Sequence, residues 1–295
     1  VQQTPPAAAP AAPAPAAVPT TGPATIIVKT STALNTRLGP STNFDRSGVV
    51  LQPNDRLPLL EVQQEQAGQR YRWFKVMAQG RQVWVREDFV TYDGDTSAFG
   101  LPTDLYPAPM KTKYWLIRGF NMPPNLDPNP ATYQHNGWDL GAATGEPVYC
   151  GPNGGTVVKV WDCTKCTPDR PSTVLNGISL GDPNVFTDPG WGNGYGTYVI
   201  VGYSSSQLPQ STQNWMAAKG FAGGSIFVMY AHLTTRSVQN NQQLAPGQQI
   251  GACGNTGNSE GPHVHLEVRP SKSPQWVGWP QLQSNVTDAV ALFKR

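Results

Sequence analysis

Short runs in which apolar and polar residues alternate fill most of the chain after its first two dozen positions, and no long helical periodicity accompanies them. From residue 25 to about 93 they read TIIVKT, SGVV, RLPLLEV, YRWFKVM and RQVWVREDFV, with turn signals at residues 38–42, 53–55 and 79–82. Period-two alternation bounded by Gly, Pro and Asn marks half-buried strands. Several such strands within roughly seventy residues describe a small β-barrel. A second set spans about residues 112–270: EPVYC, GTVVKVW, GTYVIVGY, SIFVMYAHL, QQIGACG and HVHLEVR, rich in β-branched and aromatic residues. Short helices are expected only at residues 213–219 and near the C-terminus, in NVTDAVALF. The expected class is all-β, a small barrel followed by a domain of antiparallel sheet.

Between the two sets, GDTSAFGLPTDLYPAPMK (residues 94–111) lacks periodicity and reads as a linker; residues 271–295 form a C-terminal extension whose Trp276 and Trp279 are expected to dock on the sheet. Fifteen of the first 23 residues are Pro or Ala and no charge precedes Lys29, so residues 1–24 are expected to be an extended spacer. Charged residues make up 14% of the 295 and net to +2, too little for strong attraction to nucleic acid or anionic lipid. No apolar run is long enough to span a bilayer, and a soluble monomer is expected. A chain that begins at Val1, with low charge and polar, Gly- and Pro-rich loops, suggests a processed, secreted or envelope protein.

The candidate chemistry centres on GPHVHLEVR, residues 261–269. Alternate residues of a strand share a face, so His263, His265 and Glu267 point into one space. The other two of the chain's four histidines are His135, four residues before Asp139 in QHNGWDLG, and His232 in MYAHL. H-x-x-x-D and H-x-H are each weak patterns. Together, with no histidine left over, they supply what a catalytic zinc site needs: three protein ligands and a position for water. His135, Asp139 and one residue of the H-x-H pair would be the ligands, leaving His232 and the other histidine for proton transfer. Four cysteines allow three pairings. The expected bridges are Cys150–Cys253 and Cys163–Cys166, with free buried thiols as the alternative for the first pair.

Two stretches resemble known families. LNTRLGPSTNFDRSGVV, WFKV and GRQVWV occur in the order found in bacterial SH3-like domains, with Gln82-Val83 where a second Gly is usual. That resemblance implies attachment to cell-wall or other envelope ligands, or a structural spacer. HNGWDLGAATGEPVYCGPNGGTVVKV, GNGYGTYVIV, MYAHL and PGQQIGACGNTGNSEGPHVHLEVR, again in family order, look like a lysostaphin-type zinc endopeptidase of bacterial cell walls. The resemblance implies an antiparallel sheet with the metal in a groove across it. It makes His135, Asp139 and His265 the ligands of one zinc ion and His232 and His263 the catalytic pair, and peptidoglycan peptides the substrate. A non-catalytic envelope protein on the same fold, or a peptidase acting on a non-wall protein, are the other readings.

Smaller features follow from the same comparison. Gly137 is expected to give the backbone latitude between two ligands. Glu267 either orients a ligand imidazole or is a surface carboxylate, and Tyr195 lines the groove, assists the oxyanion or simply packs. Asn121, in FNMPP where the family often has Gly, is a conceivable plug for the open zinc position. Residues 162–190 and 204–224 are insertions expected to shape the groove walls.

Overall fold

The computed structural model describes residues 22–30, 32–63, 71–112, 114–120 and 135–294. Asn121 and most of the Pro/Ala-rich start lie outside them. Alternating residues of the first set build seven strands: β1 (Thr25–Val28), β2 (Leu34–Arg37), β3 (Arg46–Leu51), β4 (Arg56–Gln63), β5 (Trp73–Ala78), β6 (Arg81–Arg86) and β7 (Val90–Asp93). They pair in the order β3-β2-β6-β5-β4-β1-β7, every registered pair antiparallel. Their inward residues, among them Ile26, Val28, Phe74, Val76 and Val83, form one core. RQVWVREDFV is two strands, not one. A 3-10 turn at Glu87–Phe89 divides it, and buried Glu87 accepts from the backbone N–H and Nε of Arg72.

Ten strands follow: β8 (Trp115–Arg118), β9 (Trp138–Gly141), β10 (Pro147–Tyr149), β11 (Gly155–Trp161), β12 (Thr197–Ser204), β13 (Ser225–Leu233), β14 (Thr235–Arg236), β15 (Gln243–Leu244), β16 (Gln249–Ala252) and β17 (His263–Ser271). The large sheet runs β15-β11-β12-β13-β17-β9-β8, and a small one runs β10-β16-β14. Both faces of the large sheet are covered, which is why β13 is buried throughout and shows no alternation. One face carries Val264, Leu266, Val268, Val228 and Tyr230 into the main core. The other carries Ile200, Phe227, Met229 and Ala231, against which the C-terminal residues Trp276, Trp279 and Leu282 pack. The rings of Phe227 and Trp276 meet edge to face at 5.0 Å, so the expected docking of the tryptophans is observed.

The stretch read as a linker is packed: Leu101 enters the first core, and Tyr106 and Met110 enter the second. The expected helix begins earlier, as α1 (Gln210–Ala218), with Met216 buried and Thr212 Oγ1 donating to Ala291 O at 2.8 Å. The C-terminal helix is a single 3-10 turn, Ala289–Ala291.

Cys163 and Cys166 form a disulfide. Cys150 and Cys253 do not; both are free and buried. The register of β10 on β16 is the reason. Cys150 pairs through its N–H with Gln248 O, and Cys253 with Glu146 O. The cysteines therefore lie at opposite ends of the ladder, four residues apart at about 3.4 Å each. A disulfide needs Cα atoms within about 7 Å.

Candidate active site

Pairing of β9 with β17 sets Asp139 directly opposite His265 and Gly141 opposite His263. His135 stands three residues ahead of β9 and reaches the same point. Three donor atoms converge there: His135 Nε2 lies 3.1 Å from Asp139 Oδ1, His265 Nδ1 lies 2.9 Å from the same oxygen, and the two nitrogens are 3.2 Å apart. All three side chains are buried. Gly137, just ahead of β9, packs closely on β17, where an added Cβ would lie 2.3 Å from Leu266 O and 3.2 Å from the His265 ring. Close approach, rather than conformational latitude, is what this position requires.

The outer nitrogens fix how the rings present themselves. His135 Nδ1 is 2.8 Å from Gly119 O, a group that only accepts, so the proton is on Nδ1 and Nε2 offers a lone pair. His265 Nε2 faces Glu267 Oε2 at 3.4 Å, which leaves its Nδ1 lone pair directed inward. Two imidazole lone pairs and a carboxylate oxygen thus meet in a buried space. Only a cation or a proton reconciles them. Burial drives the His265 pKa down, but hydrogen bonds to Asp139 and Glu267 outweigh it and lift the group to about 9. Burial likewise opposes ionisation of Asp139, and the adjacent His135 and His263 overcome it, holding the carboxyl well below the usual range. The donor set fits zinc: bonds of about 2.0–2.1 Å at tetrahedral angles place ligand atoms roughly 3.3 Å apart.

His263 and His232 complete the cluster. His263 Nε2 lies 3.5 Å from Asp139 Oδ1, while its Nδ1 is 2.8 Å from Gly261 O. The His232 and His263 ring centroids are 4.7 Å apart, and those of His232 and His265 6.0 Å. His232 reaches this face by an irregularity. Ala231 is opposite His265, so the next residue of a regular strand would point to the other side. Instead β13 carries one extra residue against β12, with Thr197 opposite Leu233 and Val199 opposite Tyr230, and His232 adopts φ 60°. Such a bulge re-aims a side chain, and left-handed backbone at a non-Gly residue recurs at functional sites. His232 Nδ1 donates to Thr256 O at 2.7 Å, leaving Nε2 for chemistry. Burial, then the neighbouring His263 and His265, press the His232 pKa well below the ordinary histidine value; burial also lowers that of His263.

The all-β fold brings the five motif residues together. A family model described as Peptidase family M23 matches residues 182–276. That stretch resembles the M23 peptidases. His232, His263 and His265 lie within the matched stretch; His135 and Asp139 lie upstream of it and join through the β9–β17 pairing. Peptidoglycan DD-endopeptidase ShyA of Vibrio cholerae is 24% identical over 202 residues, 66% of this chain and 34% of the relative. Peptidoglycan DD-endopeptidase ShyC of the same organism is 32% identical over 105 residues, 29% of this chain and 24% of the relative. The chain therefore spans about a third or less of the length of these curated relatives. Among solved structures, the catalytic domain of lysostaphin from Staphylococcus simulans is similar at TM-score 0.36 and 17% identity, over 60% of this chain and 89% of that one. A zinc-containing peptidase from Vibrio cholerae is similar at TM-score 0.36 and 21% identity, over 69% and 45%.

Two residues weighed in the sequence now have places beside the cluster. Glu267 is fully buried, which excludes a surface carboxylate. Tyr195 donates its hydroxyl to Glu267 Oε2 at 2.9 Å, so that hydroxyl is engaged away from the cluster. The carbonyls of Gly119, Thr256 and Gly261 went unread because a backbone oxygen leaves no mark in a sequence. Arg269 did leave one: it continues the alternation His263, His265, Glu267.

Proposed function

We propose that the chain is a zinc-dependent endopeptidase of the bacterial envelope that hydrolyses amide bonds in peptidoglycan peptides, cross-bridge or stem. The convergence of three lone pairs on one buried point carries this reading. His135 Nε2, Asp139 Oδ1 and His265 Nδ1 would hold one zinc ion per chain. When bound, zinc supplies Lewis acidity for the scissile carbonyl and lowers the pKa of a water to about 7. His263, at the edge of the donor triangle with Nδ1 tied to Gly261 O, accepts the proton of the attacking water at Nε2. His232, held in the same tautomer by Thr256 O, presents a bare Nε2; once it takes up there the proton that His263 has received from the water, it delivers that proton to the leaving amine or steadies the oxyanion.

Peptidoglycan as substrate is supported by the two curated relatives, both peptidoglycan DD-endopeptidases. The first β unit, by its likeness to bacterial SH3-like domains, would hold the enzyme on the wall. Secretion and a monomeric state belong to the same reading, and among the described residues no helix is long and apolar enough to cross a membrane. The test is metal analysis of the purified chain together with digestion of purified peptidoglycan, with and without chelator. About one zinc per chain and chelator-sensitive release of new amino termini are expected. One zinc without cleavage would favour an envelope-binding protein or a peptidase of non-wall proteins, and absence of zinc would overturn the metal reading.

A further inference from the structure

The face of β17 that presents His263 and His265 continues through Glu267 to Arg269, and at Arg269 it runs under the C-terminal segment. Glu267 and Arg269 are 0% and 1% exposed. A guanidinium so deeply buried must have its donors satisfied. Arg269 Nε donates to Glu267 Oε1 at 2.7 Å, Nη1 to Trp279 O at 2.6 Å and Nη2 to Gln283 Oε1 at 2.7 Å, while the guanidinium lies 4.0 Å from the centre of the Trp279 ring. The other oxygen of Glu267 accepts from Tyr195 and faces His265 Nε2. Arg269 and Tyr195 thereby pin the carboxylate from one side, and the only imidazole it meets is that of a candidate metal ligand.

We propose that Arg269 is a positioning residue for the metal centre, and that residues 279–283, more than ten positions beyond the last histidine, are part of what sets metal affinity. The inference rests on the zinc reading above. Its physical basis is the chain of contacts: residues 279–283 fix Arg269, Arg269 fixes Glu267, and Glu267 fixes the ring angle and tautomer of His265. The planar guanidinium serves Glu267, Trp279 and Gln283 at once; a Lys ammonium keeps the charge but not that fork. Partners of metal-bound histidines typically change metal affinity about 10-fold to 100-fold when removed.

The experiment uses the full chain, Arg269→Lys and the exposed-residue variant Gln283→Ala. Zinc affinity is read by competition with a chromophoric chelator, ligand geometry by the visible spectrum of the cobalt-substituted protein, and fold by thermal melting in chelator. Arg269→Lys is expected to weaken zinc about 10-fold or more and to alter the cobalt spectrum, and Gln283→Ala to weaken zinc by a few-fold, with metal-free melting of Gln283→Ala unchanged. If Arg269→Lys does not fold, Gln283→Ala decides. Wild-type zinc affinity and cobalt spectrum in a folded Gln283→Ala and Arg269→Lys would overturn the positioning role while leaving the zinc reading standing. A wild-type chain that takes up no zinc would instead remove the reading beneath it.

Discussion

His265 and His263 are two residues apart on one strand, yet they are expected to fail differently when removed. His265→Ala or Asp139→Ala deletes a donor atom, so bound zinc and turnover should fall together. His263→Ala leaves the donor triangle intact; zinc should remain while turnover drops about 100-fold to 10,000-fold, the usual contribution of an acid-base group. Metal content and rates of the purified variants check both, and zinc lost from His263→Ala but kept in His265→Ala would exchange their roles. The histidines and Asp139 were legible because few residue types bind metal and all four histidines fell in suggestive phrases. Among the cysteines the Cys163–Cys166 bridge was legible, but the choice between a bridge and free thiols at Cys150 and Cys253 was not, since an even count says nothing of register. Burial, and then Glu146, pushes the Cys253 thiol up to about 11, and burial also raises Cys150. Two thiols per chain should therefore react with a thiol reagent at pH 8 in denaturant and essentially none in the native protein. A native chain that yields no thiols after denaturation would restore the bridge.

At the level of elements, the strands that alternate or are rich in Val, Ile and Tyr could be read directly, β13 and β17 of the site among them, while two short strands beside them could not. β9 is four residues, WDLG, all buried, too short for any period to emerge. β8 is equally short. The bulge that turns His232 onto the metal face is a matter of one extra residue against a partner strand, invisible until both are paired. Gly137 offers the sharpest test at this scale. Its substitution by Ala would place a methyl against Leu266 O and force β9 away from β17, separating Asp139 from His265. A loss of about 1–3 kcal/mol in stability is expected by analogy with overpacked cores, with weaker zinc binding alongside. Chemical denaturation and zinc titration would register both, and unchanged zinc affinity would mean that the strand spacing does not set the site.

Across the whole molecule, the sequence suggested separable parts, a linker between two β units and a tail after the second. The structure ties these more closely. Tyr106, read as linker, lies in the second core, where its N–H donates to Leu292 O at 2.9 Å and its ring meets Phe293. Ala289, Leu292 and Phe293 are buried in that same core. A chain ending at residue 270 should therefore lose cooperative melting altogether, a result circular dichroism would record; a sharp transition near the full-length temperature would show the tail to be dispensable. Docking of Trp276 and Trp279 could be foreseen from residues 271–295, but the entry of Leu292 and Phe293 into the core could not, since no periodic signal marks it.

The inserted residues 162–190 stand apart from that economy. They lean on the loop ahead of β17, where Thr173 N donates to Gly257 O at 2.8 Å and Gly181 N to Asn258 Oδ1 at 3.2 Å. Yet they contribute none of the five clustered side chains, which come from β9, β13, β17 and the residue leading into β9. The clustered side chains and the segment that borders them are thus drawn from different stretches, joined at the loop ahead of β17 and also by Arg236 donating to Asp162 and the Cys163 N–H donating to Thr197 Oγ1. On the function proposed above, exchanging that border would change which peptides are admitted while leaving the five clustered side chains in place.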